Sequence, residues 1–314
     1  MSRDLSPQKL ALQKALYHRP THHIPSHLVY HYTTRAGLEG ILGDRAVRAT
    51  HFRHLNDKRE MDGGDSLLLS VAQALSEKPS QSIVTQFALK LYCELYPRMA
   101  VGKLFDWYVS CFSDLPDAQS QWRDYGDSGR GYALGFEFKL TEPVPGAPTI
   151  HLGLVLRRME YDLIKSRRIV EREMARRFAI LEKHVTNAAL SDAAIAQLLH
   201  FGVGEIFKET GWLVLPVKNR RYKDEHEWRI LAMPNAGAPA GIVKFRQRDG
   251  EAVPYVNVPL VPWPHEPIDI KSLCVGPNQD PVEGVREARE LLSATGHDPN
   301  VVCVSTVGRF KIKP

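Results

Sequence analysis

Strand-length and helix-length segments succeed one another along this chain without alternating strand for helix, and that order constrains the fold more than any single motif. Periodicity predicts strands at Leu28–Tyr32, Ala46–Phe52, Trp107–Phe112, Gly131–Phe138, His151–Leu156, Trp212–Val217, Trp228–Met233, Leu273–Val275 and Val301–Ser305. Helices are predicted from Ser6-Pro7 to about Tyr17, and through Leu38, Ile41 and Leu42 behind a cap at Thr33 or Thr34. Others follow over Asp65–Ser76, Ser80–Tyr96, Asp162 to Thr186, Asp192–Lys208 and Val282–Ser293. Polar loops are expected at Lys218–Glu227, Pro234–Gly241 and Pro259–Pro267. A doubly wound sheet would need regular alternation. The expected class is therefore α+β around a bent, mostly antiparallel sheet. Residues 1–27 read as a helix plus an extended segment. Residues 28–314 read as one elaborated domain with helical insertions at about 62–98 and 160–209.

Composition closes off several classes. A chain of 314 residues, 43% hydrophobic, can bury a core without staples. No run reaches the ~18 apolar residues of a membrane span. Met1–His18 carries Asp4 and no apolar h-region, so a signal peptide is not expected. Cys93, Cys111, Cys274 and Cys303 are far apart and form no CxxC pair, which points to a reducing cytoplasm and away from a cysteine zinc site. Seven of the 13 histidines precede residue 55: His18, His22, His23, His27, His31, His51 and His54. Pro20 and Pro25 keep them off one helix face, and no HExxH occurs, so no metal is expected. The net charge of +5 permits a polyanionic partner without demanding one.

Five segments carry chemistry. His31 ends a strand just before Tyr32, Thr33 and an amphipathic helix, where an imidazole can donate into a cleft or serve only the fold. Asn56-Asp57-Lys58-Arg59-Glu60 has a turn and capping-box spacing. Gln121–Tyr132, with Trp122, Tyr125, three glycines and two arginines between, can wall a pocket for a flat ring or anchor a turn. Glu225 and Glu227, one residue apart, point the same way in an extended chain and repel unless compensated. Arg220, Arg221 and Lys223 stand ready to compensate them. The helix from Asp162 to Thr186 carries six arginines and lysines, Arg167 to Lys183, among Glu171, Glu173 and Glu182. It reads as a solvated face with i,i+4 pairs, with a phosphate-binding role as the alternative.

In order and spacing these pieces resemble a bacterial family called domain of unknown function 2971. The resemblance rests on Tyr30–Leu42, Asn56–Glu60, Cys111-Phe112-Ser113, Trp122 through Phe136, Tyr222–Arg229 and Leu273–Ser305, and covers roughly residues 28–312. A more distant resemblance is to the ADP-ribosyltransferase superfamily, carried by His31-Tyr32-Thr33, Gly131-Tyr132 and Glu225-His226-Glu227. That likeness implies a split sheet of the ADP-ribosyltransferase type with helical insertions, and NAD as co-substrate. It implies Glu227 on the nicotinamide-ribose hydroxyl, Glu225 orienting the acceptor, and Tyr132 or Tyr125 stacked on nicotinamide. His31, Tyr32, Thr33 and Asn56 would line the NAD site, and Arg220, Arg221 and Lys223 the acceptor site.

The resulting expectation is a cytoplasmic NAD-dependent transferase, a toxin or antiviral (anti-phage) effector acting on RNA, DNA or protein, with no membrane partner. The alternatives are a non-catalytic nucleic-acid-binding or sensor module on the same fold and an NAD glycohydrolase. A metal-dependent hydrolase using the N-terminal histidines ranks behind both.

Overall fold

The computed structural model describes residues 5–17, 27–55, 62–99, 106–138, 151–186, 190–235, 237–263 and 265–311. The chain divides into two compact units. One comprises residues 1–22, 57–105 and 160–220, the other residues 23–56, 106–159 and 221–314.

The first unit is helical: α1 (Ser6–Leu16), α3 (Asp62–Ser76), α4 (Ile83–Met99), α6 (Leu163–Thr186) and α7 (Asp192–Val214). The N-terminal helix belongs to it, packing on α6 and α7. Helical spacing predicts an apolar stripe of Leu163, Val170, Met174, Phe178, Leu181 and Val185 on α6; all turn inward except Leu163, which is exposed in the first turn. Tyr92 stacks on Phe207 at 3.9 Å and bonds Thr210. A Cβ on Gly202 would come within 2.4 Å of Leu181, so a glycine is needed where α7 meets α6. The strand expected at Trp212–Val217 does not form there. Helix α7 continues to Val214 because Val203, Ile206, Phe207, Thr210, Gly211 and Val214 keep helical spacing and are all buried.

The second unit is built on one sheet. Its strands are β1 (His27–Thr33), β2 (Ala46–His51), β3 (Tyr108–Ser113), β4 (Tyr132–Phe138), β5 (Leu152–Arg158), β6 (Glu227–Pro234), β7 (Val243–Arg248), β8 (Glu251–Pro259), β9 (Ile270–Val275) and β10 (Val302–Val304). The order is β10-β9-β4-β1-β3-β2-β8-β7, and β6 and β5 extend from the other edge of β3. Every pairing is antiparallel except β9–β10. The fold is therefore α+β with a mixed, mostly antiparallel, open sheet. The β7–β8 hairpin is an addition to the expected strands.

Two features position the site. The first is a fork at β3. One edge of β3 pairs with β6 along its whole length, while the other is shared, β2 taking Tyr108 and Val109 and β1 taking Ser113. The second is the division of the two faces. Val29, Tyr132, Leu134, Phe136, Ile230 and Val256 form the main core with α2 (Arg35–Asp44) and α8 (Pro281–Ala294), which pack on that face. The opposite face holds Tyr32, Ala133 and Cys274 against Trp122 of α5 (Gln119–Asp124). Thr34 caps α2 by accepting from Gly37, and Asp280 caps α8 by accepting from Val282 and Glu283. Among the described residues no helix is long and apolar enough to cross a membrane.

Candidate active site

Glu227 opens strand β6. The residue before it, His226, has a φ of +47°, a left-handed turn that few side chains adopt freely. Glu225 ends a 3-10 turn over Arg220–Glu225, and Glu227 begins the strand. The two glutamates are therefore not in one extended run, and the expected same-facing pair is broken at His226. The backbone carbonyl of Glu225 instead accepts from Ser113 Oγ at 2.7 Å and from Gln121 Nε2 at 3.4 Å.

Glu227 is 4% exposed, and its carboxylate is gripped by Arg229 two residues on, with Nε–Oε1 at 2.7 Å and Nη2–Oε2 at 2.9 Å. Residues i and i+2 of a strand share a face, so strand geometry assembles this fork-to-fork pair. The register adds the neighbours. Tyr30, Ser113 and Glu227 lie in one cross-strand row, and Cys111, Arg229 and Arg157 in the next. Arg157 forms no ion pair among the described residues, and burial pulls its pKa down. Arg229 and Arg157 thus share this face of the sheet with the Glu227 carboxylate.

Helix α5 sits on the same face. Trp122 packs edge-on against Tyr32 at 4.9 Å and donates to Asp117 at 2.6 Å. Burial alone would raise the pKa of Asp117, but bonds from Ser305, Trp122 and Thr306 hold it below the usual carboxylate value. The Tyr32 hydroxyl donates to Leu115 O and accepts from Ala118 N, and burial pushes its pKa up. Those bonds fix the loop before α5. Tyr125, at the C-terminal end of α5, is 39% exposed.

His31, Thr33 and Tyr132 occupy the other face, since His31 pairs with Leu134 and Thr33 with Tyr132. His31 Nδ1 lies 2.9 Å from the carbonyl of Cys111, so that nitrogen carries the proton, and burial draws its pKa down. The ring closes the fork of β3, bonding a carbonyl where β1 and β2 part. Thr33 is buried, and a Cβ on Gly37 would sit 2.0 Å from its hydroxyl. Tyr132 is 2% exposed inside the main core and bonds Gln279, with its pKa raised by burial. The structure thus brings Tyr32, the α5 segment and Glu227 to one face. It puts the side chains of His31, Thr33 and Tyr132 on the reverse.

The remaining candidates are less concentrated. Arg220, Arg221 and Lys223 lie in the 3-10 turn, which buries none of them, and Arg221 folds over the Tyr222 ring at 4.5 Å. Asn56 and the turn through Glu60 lie outside the described residues. Among the described residues no group of three or more His, Cys, Asp or Glu could hold a metal ion. The thiols of Cys274 and Cys303, distant in sequence, meet across β9 and β10. Bonding from Cys274 holds Cys303 down to about 7. Sequence reasoning missed the parts of Arg229 and Arg157; the i,i+2 spacing of Glu227 and Arg229 was the available signal for the first.

Residues 121–230 match the model of a family described as a protein of unknown function, DUF2971. That stretch runs from α5 to β6 and includes both members of the Glu227–Arg229 pair. No curated protein and no solved structure matches the chain.

Proposed function

We propose that the chain is an NAD-dependent ADP-ribosyltransferase centred on Glu227. The observation that carries the reading is the buried Glu227–Arg229 pair beside the fork in the sheet, with Arg157, which makes no ion pair among the described residues, next to it in register. A carboxylate held in a low-dielectric setting stabilises positive charge strongly. The glycosidic bond from ribose C1′ to the nicotinamide nitrogen breaks with its electron pair leaving on nicotinamide. Glu227 takes the ribose 2′-hydroxyl and steadies the cationic ribose. The acceptor then attacks C1′ and gives up its proton, with Glu225 orienting it. Arg157 supplies a cation for the diphosphate, and Arg229 is a positioning residue.

Of the two tyrosines open for nicotinamide stacking, the geometry favours Tyr125, which is exposed and follows the helix on the Glu227 face. Tyr132 and His31 then act through the sheet. Tyr132 anchors β4 in the core, and His31 closes the fork. A split sheet of the ADP-ribosyltransferase type is part of the same proposal, supported by the shared edge of β3.

The test is nicotinamide release and label transfer from NAD by the full chain. Glu227→Gln is expected to cost about 10²–10³ in rate. Full activity in that variant overturns the reading. Release without transfer to protein, RNA or DNA identifies an NAD glycohydrolase instead. A toxin or anti-phage role predicts growth arrest by the wild type that Glu227→Gln relieves.

A further inference from the structure

The hairpin at the far edge of the sheet carries a second positive surface. Lys244, Arg246 and Arg248 alternate along edge strand β7 and so share one face. Through the pairs Lys244↔Tyr255 and Thr50↔Tyr255, that face continues onto β8 and β2, where it takes in Arg48 and Tyr255. Arg48 and Lys244 are exposed, and Arg246 and Arg248 are half-buried. Arg48 lies over the Tyr255 ring at 5.3 Å, presenting a flat cationic plane.

None of these four cations makes an ion pair among the described residues, although Glu251 is the register partner of Arg248. Their bonds go to neutral oxygens, Arg246 to Thr50 Oγ1 at 3.2 Å and Arg248 to the carbonyl of His54. Burial, then Arg248 and Arg48, pull the Arg246 pKa down, which is the mark of like charges crowded together. The Arg246 Nε is buried without a partner. A row of like charges raises the local concentration of anions and speeds their association.

We propose that this face of β7, β8 and β2 binds the phosphate backbone of a single-stranded nucleic acid. Alternate residues on a strand are about 7 Å apart, close to the step between successive phosphates of an extended strand. The Arg48–Tyr255 plane offers a stacking platform for an unpaired base, which a duplex would hide. The surface lies on β7, β8 and β2 rather than on β6, and does not depend on NAD chemistry.

The experiment measures fluorescence anisotropy of labelled 12-mer oligo(dT) and oligo(U), a duplex of equal length, and polyglutamate, with the full chain and no NAD. Either single strand is expected to bind more tightly than the duplex, with a log–log salt slope of about −2 to −3 for three or four phosphates. Lys244→Gln/Arg246→Gln/Arg248→Gln is expected to weaken binding by about 10²-fold or more. A control removing the same charge from α6, Arg167→Gln/Arg168→Gln/Arg172→Gln, is expected to leave it unchanged. Lys244→Gln alone, at an exposed position, should lower the slope by about 0.7 even if the triple variant folds poorly. Equal loss in the α6 control, tighter binding of the duplex, binding of polyglutamate as tight as of the oligonucleotides, or no binding overturns the proposal.

Discussion

In helix α6, Glu173 takes Arg177 at 2.8 Å and Arg176 at 3.3 Å, Arg177 also lies 3.7 Å from Glu209, and Glu171 takes Lys78 at 2.6 Å. On strand β7, Lys244, Arg246 and Arg248 make no ion pair among the described residues. Both segments are rich in arginine, and charge counting would rank α6 as the better polyanion site. Side-chain pairing reverses the ranking. In α6 Glu173 sits at i−3 and i−4 from Arg176 and Arg177, so those two arginines are compensated within the helix itself. In β7 the interleaved residues Phe245 and Gln247 are neutral and point to the other face, so nothing offsets the row. The Glu227–Arg229 pair shows the α6 solution on the sheet itself.

The comparison breaks most readily at Arg177, which is 3% exposed. Removing one partner of a buried pair costs about 3–5 kcal/mol. Arg176 and Arg172 still reach Glu173, so Arg177→Ala is expected near the lower end, about 3 kcal/mol. Chemical denaturation measures it. A change under about 1 kcal/mol would mean that the α6 charges contribute no more than surface pairs.

A smaller effect follows from acid. Burial alone would raise the Glu173 pKa, but Arg177 and Arg176 hold it below the ordinary 4.5. A depressed carboxylate contributes stability above its unfolded value, and loses it as pH falls through the folded one. The stability of the wild type should therefore decline as pH falls through and below 4.5. Arg177→Ala should show a shallower decline, read as the pH dependence of Tm. Parallel slopes in the two proteins would show that Glu173 is not the titrating group.

The sequence reading located most elements, because β1, β3, β4 and α6 each carry a clean period. It failed where local signals compete. Trp212 and Val214 look like strand residues, yet the buried period of α7 runs through them. The hairpin went unread although Asp249-Gly250 marks its turn, with φ of +53° and +81°. At the site, residue identity was visible and facing was not. Facing depends on register with β3, and on a left-handed His226 between two glutamates that look like neighbours on one edge. The fork that His31 closes is a tertiary fact with no local pattern at all.

The finest test of the comparison is Arg246→Gln. The change forfeits one hydrogen bond to Thr50, worth about 1 kcal/mol. It also removes repulsion from Arg48 and Arg248, and a buried Nε that has no partner. These contributions oppose each other, so the expected change in unfolding free energy lies within about 0.5 kcal/mol of zero. Salt sharpens the reading, because added ions screen repulsion among partly exposed cations. The wild type should gain stability as sodium chloride rises, and Arg246→Gln should gain less. A loss as large as that expected for Arg177→Ala would place Arg246 in the structural class of α6, with its charge serving the fold.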